Sequence, residues 1–258
     1  MSPYLPPEII DSIFANIQHE LLHRELCNYA LVCSDWLAAS RRRLLRVVHI
    51  GHAAAYDSLI EQVVRQERLP PWLATTTRGV FYIEDSKKDA RGHRIVLDLA
   101  GQLPNLHTLV LSEVDWSGLQ LRAHLAFSQY RCLQELWLCY CSFPSFGNLR
   151  RLLVVLPSLA NLVLLCPIWG TPKDPLVVEG QSIPRPVLHT LYLYPSSADD
   201  ANQFFHWLVH TPTISSLRRV VLDPEYLDLW DNFTSTITDV DVFLNSADGK
   251  LYETAQER

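Results

Sequence analysis

Apolar residues recur along this chain in two rhythms, and the first belongs to helices. Ile9, Ile13 and Ile17 come every four residues with Ile10 and Phe14 beside them, which gives one wide apolar stripe. Pro6 and Pro7 suit the start of that helix, because proline's fixed φ is already helical and its missing N–H would go unpaired there anyway. Glu8 and Asp11 fall in the first turn, where carboxylates favour the helix dipole. The pattern predicts a second helix over 20–30 and a third capped by Ser34, carrying Trp36, Leu37, Ser40 and Leu44. Fifty residues cannot bury all of these stripes internally, so apolar surface is left for a partner or for the following domain.

The second rhythm is a repeat. Leu106-x-x-Leu109-x-Leu111 is matched by Leu133-x-x-Leu136-x-Leu138, Leu159-x-x-Leu162-x-Leu164, Leu188-x-x-Leu191-x-Leu193 and Leu217-x-x-Val220-x-Leu222, at steps of 27, 26, 29 and 29 residues. Leu103-Pro104-Asn105 and Leu156-Pro157-Ser158 are near copies ahead of two of them. Arg78 to Ile83 reads as a degenerate earlier copy, Leu45 to Ile50 as a still earlier strand, and Ile237-x-x-Val240-x-Val242 as a final one. Steps of this size lie in the leucine-rich-repeat range. Each template is then a short strand with its leucines turned inward, burying its face only against its neighbours.

Helical patterns return the chain over 119–130, 146–156 and 199–210, while the proline-rich stretch 167–186 predicts an irregular loop. The residues between the inward leucines form a column on the concave face: Val110, Trp137, Val163, Tyr192 and Val221, with Ser112, Cys139, Leu165, Tyr194 and Asp223 beside it. At a strand spacing of about 4.8 Å the first column is a continuous apolar stripe, of the kind that marks an interaction site when exposed. Val110, Trp137, Val163, Tyr192, Tyr194 and Val221 are the candidate target-binding residues. The competing expectations are ordinary strand packing, or an acidic tail folded over the stripe.

Composition narrows the classes. Hydrophobic residues make up 48% of the 258 and charged residues 19%, as in a folded domain. The formal charge of -6 argues against general nucleic-acid binding. Nine Asp or Glu stand from Asp223 onward against Lys250 and Arg258. Six scattered cysteines favour a reducing compartment, and no signal core or membrane-length apolar run is present, so the expected location is cytoplasmic or nuclear.

The opening residues resemble an F-box. Leu5-Pro6-Pro7-Glu8-Ile9-Ile10, Ile13-Phe14, then Leu31-Val32-Cys33-Ser34-Asp35-Trp36 and Leu44-Leu45-Arg46-Val47-Val48 follow that module's order, although the stretch between Phe14 and Val32 is a few residues longer than in its commonest form. Ser40-Arg41-Arg42-Arg43-Leu44-Leu45 is similar to the third helices of fungal members. The resemblance implies docking onto the Skp adaptor, and through it a cullin, by Leu5, Pro6, Ile9, Ile10, Ile13, Phe14, Leu31, Val32, Cys33 and Trp36. Cys141 sits where the repeat consensus expects Cys or Asn, which is similar to the cysteine-containing repeats that often follow an F-box.

No catalytic constellation competes with this reading. The chain has no G-x-S-x-G elbow, phosphate-cradling glycine loop or H-E-x-x-H helix, and only nine glycines. Cys132, Cys139 and Cys141 suggest a metal cluster, but the repeat register already explains Cys141 as core. His107 and His189 share one repeat position.

The expected fold is α/β: an F-box at 3–50, a helical linker or first repeat at 51–77, leucine-rich-like repeats at 78–235, and a capping strand with an acidic tail at 236–258. The expected function is non-catalytic and cofactor-free, the substrate-recognition subunit of an SCF-type ubiquitin ligase that holds an unknown protein target. The alternative is a repeat scaffold that keeps the helical lead-in as an N-terminal cap, with its first-helix stripe packed inward.

Overall fold

Leu109 lies beside Leu136, Leu162, Leu191 and Val220 in turn, and Leu111 beside Leu138, Leu164, Leu193 and Leu222. The leucine template therefore sets the register of one parallel sheet. In a computed structural model of the chain the described residues are 5–16, 22–61, 71–83, 92–117, 121–170, 186–223, 226 and 241–244. The sheet's strands are β1 (Val47–Ile50), β2 (Gly79–Ile83), β3 (Thr108–Ser112), β4 (Glu135–Cys139), β6 (Asn161–Leu165), β8 (Thr190–Tyr194), β9 (Arg219–Leu222) and β10 (Asp241–Leu244). They stand side by side in chain order, every pair parallel. Parallel neighbours need a crossover, and the described crossovers carry α4 (Ala53–Leu59), α5 (Pro71–Thr76), α6 (Gly92–Leu99), α7 (Leu121–Phe127), α8 (Phe146–Val154) and α9 (Ala198–Val209).

The chain is thus α/β with a parallel sheet. The two earlier strands foreseen at 45–50 and 78–83 are present as β1 and β2. The last one is corrected. Val242 pairs with Val220 and Leu244 with Leu222, a slip of two residues from the expected placement of Val240 and Val242. A slip of two keeps strand parity, and the alternation of apolar residues there fits both placements.

Between the helices and the sheet lies the main core, built from the template leucines and from aromatic residues such as Phe127, Phe146, Phe204 and Phe205. A second small parallel sheet, β5 (Ser142–Phe143) with β7 (Ile168–Trp169), follows two of the strands. Asp115 bridges to Ser142 in the same sense. Trp116 stacks on Phe143 at 5.7 Å, and Phe143 pairs with Trp169, so an aromatic row lines this side of the core. Most of the proline-rich stretch 167–186 lies outside the described residues, as does the tail from 245.

At the sheet's first edge stand α1 (Pro7–Ala15), α2 (Leu22–Tyr29) and α3 (Ser34–Leu44). Pro7 opens α1 as expected. Ser34 does not cap α3: it is the first helical residue, and Cys33 takes the cap position in extended backbone. Ile10, Phe14, Leu26 and Ala39 form a separate small core, closed by Tyr29, Trp36 and Leu44. Phe14 stacks on Tyr29 at 5.6 Å, and Trp36 meets both rings edge-on. Such contacts add to the area that the rings bury. α3 packs against α5 and β1.

Candidate interaction surfaces

The helical stripe divides. Ile10 and Phe14 face the small core and are buried, so these two predicted docking residues support the surface rather than present it. Trp36 is half-buried among the rings. Leu5, Pro6, Ile9, Ile13 and Cys33 are exposed, together with Leu31 at 86% and Val32 at 61%. Leu31 and Val32 are held out by a tight turn, in which their N–H groups donate to Asn28 and Tyr29 carbonyls. Ile9 and Ile13, one turn apart on a helix, share a face.

The apolar column has the predicted order. Phe81, Val110, Trp137, Val163, Tyr192 and Val221 are neighbours strand by strand. It is not an exposed stripe, and that expectation is corrected. Val110, Trp137, Val163, Tyr194 and Val221 are buried in a cluster of their own with Cys139 and Leu165, and only Tyr192 of the predicted set is half-open. Side chains this large, one strand spacing apart, touch one another. Their edges are covered in addition: the Trp137 indole N–H donates to the Glu135 carboxylate at 2.9 Å, and the Arg219 guanidinium lies over the Tyr192 ring at 5.9 Å.

Sequence reasoning passed over the residues that do meet solvent here. Thr108, Glu135, Asn161, Thr190 and Arg219 open successive strands in register and are half-buried or exposed. Their signal was available: each stands two positions before the apolar column, hence on the same face. A carboxylate, a guanidinium and three neutral polar groups beside one open tyrosine can bind a polypeptide by hydrogen bonds and charge.

Where the strands end, Glu113, Tyr140 and Cys166 each take a left-handed backbone, with φ of 62°, 53° and 45°. Their N–H groups donate to the carbonyls of Cys139, Leu165 and Tyr194 on the next strand. Tyr140 is left 46% exposed and Ile168 56%, both on this rim. Burial, then the Cys166 thiol and its neighbours, pushes the Tyr140 hydroxyl up from its ordinary value. Burial and then Asp223 raise the Cys166 thiol, which disfavours the nucleophilic thiolate.

The three suggested metal ligands do not converge. Cys141 belongs to the main core, with its thiol on the Leu111 carbonyl, while Cys139 lies in the separate cluster of the apolar column. Among the described residues no three His, Cys, Asp or Glu stand together as a metal-holding group. No described helix is long and apolar enough to cross a membrane. His107 and His189 do share one structural place: each carbonyl accepts two N–H groups from the next strand's start. The chain matches no protein-family model and no curated protein.

Proposed function

We propose that this chain is the substrate-recognition subunit of an SCF-type ubiquitin ligase, a non-catalytic adaptor working in the cytoplasm or nucleus. The three N-terminal helices would be an F-box that docks the Skp adaptor and, through it, a cullin. The strands and crossovers beyond would be irregular leucine-rich repeats holding a protein target. Such a receptor accelerates ubiquitin transfer by raising the effective concentration of the target lysine.

One observation carries the reading: the N-terminal helices close their own core with Ile10, Phe14 and Leu26, yet leave Ile9, Ile13, Leu31 and Val32 in solvent. A mere cap on the sheet would turn its first-helix stripe inward, whereas Ile9 and Ile13 of that stripe are exposed and α3 packs against α5 and β1. The target side would read the open polar column with Tyr192 rather than the buried apolar one.

The test is a binding titration of the purified full chain against a Skp adaptor. The parent should bind, and Ile9→Glu with Leu31→Glu should abolish binding at unchanged melting temperature. A parent that ignores the adaptor sinks the proposal. Unfolding of the double variant would instead favour the scaffold with a helical cap.

A further inference from the structure

The residue before each main-sheet strand from β1 to β9 donates its N–H to the carbonyl of its counterpart one strand earlier, so these residues form a row along the sheet's starting edge. Arg46, Arg78 and His107 stand at one end, Gln134 and Ala160 in the middle, and His189 and Arg218 at the other, all exposed or half-buried. Neighbours in such a row are about 4.8 Å apart. Like charges side by side on adjacent strands repel, and among the described residues neither Arg46 nor Arg78 has a side-chain hydrogen bond or ion pair. The surroundings supply little counter-charge. From three residues before the row to one after it, the seven segments carry Arg43, Arg46, Arg78, Arg131, Arg218 and Arg219 against Glu135 alone. The Glu135 carboxylate already accepts from the Trp137 indole and the Thr108 hydroxyl. Arg219 lies over Tyr192 and in register with Asp241, and is set apart for that reason. This edge is therefore cationic in a chain whose formal charge is -6.

We propose that the strand-start edge binds an acidic polypeptide segment lying across the strands, with carboxylates at both its ends and uncharged residues in its middle. The inference rests on the target-holding half of the proposed function and names the class of its ligand. Six steps of about 4.8 Å make a row about 29 Å long, which an extended chain at about 3.3 Å per residue crosses in about nine residues. Guanidinium forks match carboxylates in geometry as well as charge. A single-stranded nucleic acid would instead call for an unbroken cationic track with aromatic faces for its bases. Here Gln134 and Ala160 interrupt the charge, and the row holds no Phe, Tyr or Trp.

The test is fluorescence anisotropy of the purified full chain at low salt, where surface charges are least screened. The probes are three labelled glycine–serine peptides of about nine residues: one with glutamates at both ends, one with the same glutamates gathered in the centre, and one with glutamines in their place. The first should bind tightest, the second about fivefold weaker and the third not measurably, since each exposed charge pair contributes a factor of about two to five. Arg46→Gln with Arg78→Gln should weaken the first about tenfold, at an unchanged or higher melting temperature because repulsion is relieved. Arg151→Gln, at an exposed position on α8, should bind as the parent does. Equal binding of the two glutamate isomers, or tighter binding of an oligouridine of the same length, would overturn the proposal. So would a fall in melting temperature in the double variant, which would show these guanidiniums already held within the chain. The Skp adaptor is absent from this assay, so the two readings fail separately. A chain that binds the peptide yet ignores the adaptor sinks the ligase reading and leaves this edge standing, and adaptor binding without peptide binding does the reverse.

Discussion

The hydroxyl of Tyr130 donates to the carbonyl oxygen of Val96, 2.7 Å away and one repeat earlier, in the buried core. Tyr130 occupies the place that Leu103 and Leu156 hold in neighbouring copies, three residues before the first template leucine. Val96 lies in the last turn of α6, where helix carbonyls lack intrahelical partners. The tyrosine thus fills the core and closes a helix end together. Tyr130→Phe leaves that carbonyl unpaired, and urea denaturation should register a loss of about 1–3 kcal/mol. An unchanged midpoint would mean that water or a backbone shift replaces the bond.

Alkali should weaken the fold through two tyrosines. Burial, reinforced by Asp98, raises the Tyr130 hydroxyl far above its ordinary value. Burial and the hydrogen bond to the Asp98 carboxylate raise Tyr56. An unfolded tyrosine ionises near pH 10, so the stability these groups contribute is fully present below that pH and lost as pH rises toward the folded values. Denaturation midpoints measured from pH 9 to 11.5 (~, spanning the ordinary tyrosine range) should fall. In Tyr130→Phe the slope should be shallower by about one proton.

The N-terminal helices should separate stability from surface. Phe14→Ala empties the centre of a ring trio and should cost about 3–5 kcal/mol, and Ile10→Ala about 2–5 kcal/mol. Ile9→Ser and Leu31→Ser, at exposed positions, should stay within about 0.5 kcal/mol. Thermal melts of the four variants decide this. A large loss at Ile9 would place it under cover.

Glu113 holds a left-handed backbone with its side chain in solvent. Asn tolerates that conformation better than Glu, so Glu113→Asn should raise stability by about 0.5–1 kcal/mol. Destabilisation would show that the glutamate carries a contact worth more than the strain.

The strand register was legible because Leu109, Leu136, Leu162 and Leu191 repeat at near-constant steps and one face of a strand permits one parity. The placement of β10 was not, since Val240, Val242 and Leu244 satisfy the same alternation and only pairing with β9 selects among them. The row of Trp116, Phe143 and Trp169 was readable but unread: its steps of 27 and 26 residues copy those of the leucines. Burial of the apolar column was hidden for a different reason. Alternation tells which way Trp137 points, but not that Glu135 and its column neighbours close over it. The division of α1 into Ile10 with Phe14 inside and Ile9 with Ile13 outside depends on where α2 and α3 lie, which a stripe five residues wide does not specify.

At the start of the strands the carbonyls of Arg46, Arg78, His107, Gln134, Ala160 and His189 each accept two N–H groups from the strand that follows. The chain between successive acceptors runs 32, 29, 27, 26 and 29 residues, yet the junction does not change. This edge works as a ruler and the crossovers as slack. Length can be inserted or lost on the helical side without moving a single solvent-facing strand residue, so the two sides of the molecule are free to evolve on separate clocks.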